Sequence, residues 1–525
     1  VASFRDGWAS ARAAVSSLVR RDPTATVLAV VMAVVALGLV AGGLTLSESG
    51  GILRLTPYAS LVLAPLVAAV AVLLPWAGLV TWVLLMPALD IARVSVTVGP
   101  AQIILPTVIV ISLALGLWRA PARHEGATAD ARLLRRATYL GAGLLVGLTI
   151  ASLAVGSAAP DRAVPIALHG LVEPAILLAV AVALRPSWRR ITALAIAMGT
   201  SVALATIFNL VRIVAVRDLL TSDAEMRIQL ARLTYYNVGI FGDMLAMTIP
   251  LLVGGLLVRR ALRVPRWGAV LLLLGLAICF VGLYMTLTKS AWLGAAVGLA
   301  ALFLFLVRSW RLRVAGVAVA AVITAVVVPY PVVALRLVSP DLANAYERLA
   351  SVVNSRSSTI DPSTPEGEVS VTERLLATTA AIEMSVDHPL LGVGPGAFAA
   401  AYEAGYRPAD STRALDSAHD LIPYVAAELG LPAAALVAFG LLGAVVLAWD
   451  AGRRAPPGQG LERVISMAIA AGLIGFLVVA TTFGVDLYRD YRMIDADVVF
   501  AALLVALAVS AAALARSRRT ETVAA

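Results

Sequence analysis

The sequence predicts an all-α polytopic membrane protein with roughly 12–14 transmembrane helices and one large extracytoplasmic helical loop between late spans. The chain is 60% hydrophobic and 14% charged, with a mean hydropathy of +0.92, far from the balance of a soluble globular domain. Apolar runs of about 18 residues or more, long enough to cross a bilayer as a helix, recur along its length. Arginines gather in alternate connections between those runs. The strand-length alternation of a lipid-spanning barrel is absent from the sequence.

In chain order the expected spans fall near 25–46, 58–74, 76–92, 101–118, 138–155, 165–184, 191–211, 238–258, 267–288, 291–307, 314–330, 421–447, 464–483 and 498–515. The run Ala25–Leu46 is followed by no small-residue cleavage site and reads as a retained helix. The second and third spans, divided at Leu74-Pro75-Trp76, alternatively form one bent hairpin. With the N-terminus in the cytoplasm, the inside connections take Arg5 to Arg21, Arg119 to Arg136, Arg185 to Arg190 and Arg259 to Arg266. They also take Arg308 to Arg313, Arg453 to Arg463 and Arg516 to Arg519, and so hold most of the 41 basic residues.

Both termini are then cytoplasmic. The chain divides into an N-terminal bundle of about 11 spans at 1–330, an outward loop at 331–420 and C-terminal transmembrane helices at 421–525. Basic loops lying against anionic headgroups account for the net charge of +9, so membrane lipids and not nucleic acid are the implied partner. Cys279 is the single cysteine, which excludes a disulfide framework and a thiolate metal site.

Polar residues mark the candidate chemistry. Lys289, in TLTKSAWLG, is the only lysine, and it falls at the outward end of a span. The outward loop begins as a polar stretch, SVVNSRSSTIDPSTPEGEVS, and regains helical patterning at Val371, with Thr372 as a plausible N-cap. That helix carries Arg374 and ends at His388-Pro389. HPLLGVGPGAF follows, and its glycines read as a tight connection between helices, since the Gly-Lys-Ser/Thr ending of a phosphate loop is missing. A histidine at a helix end, such as His388, is usually structural. His419 lies just before an outward membrane boundary, where an imidazole is suited to act as a base near neutral pH.

Within the spans, His169 and Glu173 are four apart and share a helix face. They read as a mutually satisfied pair that fixes packing, or alternatively as part of a substrate pocket. Asp243 and Asn237, at the start of a later span, allow the same two readings. Arg212, Arg217, Arg227 and Arg232 alternate with acids on an outward segment; they form a solvated charged helix or lend a cation to the site. VDLYRDYRMIDAD, residues 485–497, reads as an interfacial aromatic belt with possible sugar contacts.

The order LTKSAWLG, an Arg374 helix, DHPLLGVGPGAF and SAHDLIPYVAAELGLP resembles the O-antigen ligase and polymerase-like membrane glycosyltransferases. YYNVGIFGDMLAMTIPL resembles that family's asparagine-containing span, and the matching blocks cover roughly 235–440. The resemblance implies transfer of a glycan from a polyprenyl-diphosphate carrier to a glycan, lipid or protein acceptor. It places the reaction outside the cytoplasmic membrane and implies no metal and no cofactor. Carried over, His419 is the base that deprotonates the acceptor hydroxyl, and Arg374 and Lys289 hold the diphosphate.

Two positions depart from the family pattern. Lys289 stands where the family has arginine, which removes the bidentate fork, and Asp420 stands where the family has asparagine. Asp420 either orients His419 or serves as the N-cap of the next helix. The alternatives are a protein O-oligosaccharyltransferase of the same superfamily and a non-catalytic transporter or flippase of lipid-linked sugars.

Overall fold

The computed structural model describes residues 67–92, 95–98, 101–119, 128–156, 160–216, 238–286, 288–307, 309, 311–312, 314, 371–411, 414–415, 417–456, 460–481 and 496–524. The spans expected near 25–46 and 314–330, the polar stretch before Val371, Arg217, Arg227, Arg232, Asn237 and the charged residues 485–495 lie outside these.

The described chain is helical apart from one antiparallel hairpin. Its strands are β1 (Ser95–Val98) and β2 (Ala101–Ile104), with Ser95 opposite Ile104 and Val98 opposite Ala101. The span expected at 101–118 therefore opens as a strand and turns helical at Leu105, as α2 (Leu105–Arg119). β-Branched residues on both sides of a Gly99-Pro100 turn signal explain the departure. Before the hairpin, helical residues 67–73 meet α1 (Pro75–Ala92) at a sharp bend that brings Ala71 against Gly78. This is the bent-hairpin alternative.

Further helices follow in order: α3 (Ala129–Val155), α4 (Pro160–Ala167), α5 (Glu173–Ala183), α6 (Trp188–Val216), α7 (Val238–Leu257), α8 (Arg266–Thr286) and α9 (Lys289–Leu306). A π-helical turn, Leu168–Val172, joins α4 to α5. Farther along the chain come α10 (Val371–Asp387), α11 (Phe398–Ala401), α12 (Leu421–Leu429), α13 (Leu431–Arg454), α14 (Gly460–Ala480) and α15 (Ala496–Ala524). Among the described residues, eight helices are long and apolar enough to cross a membrane, so the protein is a multi-pass membrane protein. The single span expected at 421–447 is two helices, broken at Gly430.

Helix α7 forms the centre and is mostly buried, and α6, α8, α9 and α14 pack around it. Helices α3 and α13 are peripheral and expose Leu140, Leu144 and Ile150, and Phe439, Leu442 and Val446, as lipid-facing sides do. Small residues set the closest contact. A Cβ added to Gly294 of α9 would stand 2.7 Å from the Gly475 carbonyl of α14, so only glycine permits this approach.

At the far end of the same pair, the Arg463 guanidinium donates to the Phe305 and Leu306 carbonyls at 3.4 and 3.3 Å. A cation thereby closes the C-terminus of α9. Helices α9 and α14 are thus antiparallel. Helix α14 also packs along α13, to which it is joined by only a short link. The starts of α9 and α13 therefore share one end of the bundle, and the candidate residues collect there.

Candidate active site

The α8–α9 reversal is locked by its own side chains. The Trp292 indole N–H donates to the Leu283 carbonyl at 2.7 Å, and the Thr288 hydroxyl donates to the Thr286 carbonyl at 3.1 Å. The Thr288 amide donates to the Thr286 hydroxyl at 3.3 Å, and the Tyr284 and Trp292 rings stack at 6.2 Å. Lys289 is the first residue of α9, where the helix dipole presents its positive end. Helix α7 presses Gly242 onto this reversal, against Ala291, Thr288 and Thr286, which places the fully buried Asp243 beside it.

Helix α10 buries Glu373, Ala377, Ala380, Ala381 and Met384, a helical stripe of mostly small side chains that lets α10 lie close along α12. Arg374 and Thr378 are one turn apart on a neighbouring face. The Thr378 hydroxyl reaches two acceptors on the α12 approach, the Ala418 carbonyl and Asp420 Oδ2, each at 3.1 Å. His419 lies between them, buried, with φ +58. This left-handed backbone is uncommon for a residue with a side chain and costs about 1–3 kcal/mol, a strain that accumulates at functional positions. The His419 amide donates to Ser417 Oγ at 3.2 Å. Asp420 occupies the N-cap position of α12, but its carboxylate makes no cap bond and accepts from Thr378 instead.

A buried relay braces the other side of α10. The Tyr402 hydroxyl donates to Ser411 Oγ at 2.9 Å, and Ser411 donates to Glu373 Oε2 at 2.7 Å. Burial, opposed by the smaller effect of the Ser411 hydrogen bond, pushes Tyr402 above the usual phenol range and keeps it a donor.

The glycine-rich turn is a docking element. The amides of Val393 and Gly394 donate to the carbonyls of Ala427 and Glu428 at 2.8 and 3.0 Å, and the Leu431 amide donates to the Pro389 carbonyl at 2.8 Å. The Glu428 carboxylate accepts from the amides of Gly396 (2.9 Å) and Phe398 (3.2 Å) and from the Tyr424 hydroxyl (3.0 Å). These commitments leave the turn with no nest of amides aimed at a phosphate, in line with the tight-connection reading. Ser152 of α3 donates to the Leu391 and Glu428 carbonyls at 2.6 and 2.9 Å and ties this seam to a membrane helix.

Gly392 has φ +64, and an added Cβ would lie 2.3 Å from the Glu428 carbonyl carbon. Gly392→Ala is expected to destabilise the protein by on the order of 2 kcal/mol. The measure is the temperature at which purified protein loses its monodisperse elution peak; an unchanged temperature would refute the tight fit.

The remaining candidates separate clearly. His388 closes α10, with its amide on the Met384 carbonyl, its own carbonyl accepting from Gly392 and its side chain exposed. His169 and Glu173 are buried partners at 3.2 Å, and Glu173 also accepts from the Thr107 hydroxyl of α2. Arg212 lies in the last turns of α6.

Sequence reading missed Glu428, Thr378 and Ser152. Glu428 had a usable signal, being the one charge in the apolar stretch LIPYVAAEL. Thr378 and Ser152 had none, because their importance arises from partners distant in sequence.

A family model described as O-Antigen ligase matches residues 274–438, from the middle of α8 into α13. This stretch is similar to the O-antigen ligase family. The matched stretch contains Lys289, Arg374, His419, Asp420, Thr378 and Glu428. His169, Glu173, Asp243 and Ser152 lie outside it and belong to helices that pack around it. No curated protein matches the chain.

Proposed function

We propose that the protein transfers a glycan from a polyprenyl-diphosphate carrier to an acceptor hydroxyl at the outer face of a bacterial cytoplasmic membrane, as a ligase or a polysaccharide polymerase. One observation carries this reading: Thr378, a helical turn from Arg374, is hydrogen-bonded to both residues flanking His419, so the arginine and the imidazole sit on adjoining, mutually braced elements. In the step, the acceptor oxygen attacks the anomeric carbon and its proton passes to the His419 imidazole. The bond from that carbon to the phosphate oxygen breaks with inversion, and its electron pair leaves with the diphosphate.

Arg374 and Lys289 offset the charge that develops on the leaving group, an electrostatic contribution commonly of several kcal/mol where water is partly excluded. The seam at Gly430, with the preceding loop lying outside the α13 span, supports an extracytoplasmic site. So does the arginine distribution. On this reading residues 1–330, 331–420 and 421–525 are bundle, catalytic loop and closing helices.

The test is a purified-protein assay in proteoliposomes with a polyprenyl-diphosphate-linked glycan donor, scoring both glycosidic product and donor movement across the bilayer. Donor movement without product would identify a flippase and end the transferase reading. Arg374→Ala is expected to lower kcat/KM for the donor by about 10²–10³-fold. Lys289→Arg should retain transfer within about threefold, because a guanidinium still pairs with phosphate. Full activity in Lys289→Ala would remove that residue from the clamp.

A further inference from the structure

His419 is held in a backbone conformation uncommon for a residue with a side chain, and a hydroxyl on another helix bonds both of its neighbours. Its φ is +58, and its two chain neighbours each offer an acceptor, the Ala418 carbonyl and the Asp420 carboxylate, to the same hydroxyl on another helix. A threonine hydroxyl carries one proton, so that proton is shared between two acceptors on either side of the histidine. Asp420 is drawn away from capping its own helix to take part.

We infer that Thr378 is a positioning residue for His419, its hydroxyl fixing the left-handed backbone that carries the imidazole. This rests on the reading of His419 as the base. It adds that the helix bearing Arg374 sets the geometry of the base, so leaving-group stabilisation and proton removal are registered to each other by a single side chain. Arg374 and Thr378 share a helical face, so any sliding of α10 moves both together.

The chain has four histidines, which makes the test direct. Protein labelled with ¹⁵N-histidine and reconstituted in bilayers gives four imidazole signal sets, and the set lost in His419→Asn identifies His419. Thr378→Val removes the hydroxyl at nearly constant volume, and Thr378→Ser keeps it. The expected result is that Thr378→Val displaces the His419 signals alone and Thr378→Ser leaves them in place. Turnover in the donor assay should fall about tenfold in Thr378→Val, with donor KM within about twofold, and recover in Thr378→Ser, as expected when a reacting group is misplaced.

Three results overturn the inference: unmoved His419 signals in Thr378→Val, equal displacement in Val and Ser, or displacement of all four histidines. Retained transfer in His419→Asn would instead defeat the base assignment, while the spectroscopic outcome for Thr378 would stand separately.

Discussion

If His419 is the base proposed above, replacing it with asparagine is expected to lower glycan transfer by about 10²–10⁴-fold, the usual contribution of a positioned general base. Asparagine is the informative substitution because of the φ of +58 at this residue. Among residues with side chains, asparagine tolerates the left-handed region well, so it keeps the backbone between Ala418 and Asp420 while removing the ring. Alanine would remove the base and relax the strained backbone together, and its effect would mix the two. The rate is measured at saturating donor and acceptor, so that weakened binding does not pass for lost chemistry. An asparagine variant turning over within threefold of the parent would show that proton removal is carried elsewhere.

Glu428→Gln is expected to unfold the loop seam almost as effectively as Glu428→Ala. The Glu428 carboxylate receives three donors: two backbone amides and the Tyr424 hydroxyl. A carboxylate has two accepting oxygens, whereas an amide has one and points N–H groups at donors that have nowhere to turn. Hydrogen bonds to a charged group contribute about 1.5–3 kcal/mol each, and buried donors left unsatisfied carry a further penalty, so the loss is on the order of 3–5 kcal/mol. Limited proteolysis of the purified protein reports it through new cleavage within 389–397. Protection equal to the parent in the glutamine variant would show that the seam is held by its backbone pairs alone.

The sequence revealed membrane helices and motif order for a physical reason: both are written in local composition and spacing. Lys289 at the head of α9, Arg374 on a helix and His419 before another were all legible. The break at Gly430 was not. LIPYVAAELGLPAAALVAFG is continuously apolar, and a window of hydropathy cannot tell one long span from a short helix leading into one. The strand at Ala101–Ile104 was obscured in the same way, since a short apolar run fits both periods. Thr378 and Asp420 show the deeper limit. Forty-two positions separate them, and nothing in either neighbourhood announces a contact that exists only once α10 and α12 lie side by side.

The Ser152 hydroxyl finds its acceptors 239 and 276 residues further along the chain. At ordinary elongation rates of about 5–20 residues per second, α3 waits in the membrane for roughly 15–60 s before its seam can exist. Biogenesis is therefore ordered. A nascent chain stopped just before Glu428 already contains Lys289, Arg374 and His419, yet lacks the carboxylate and the following turn that bind the loop to the bundle. Along this seam, the residues that join the loop to the bundle arrive after those proposed to carry the chemistry.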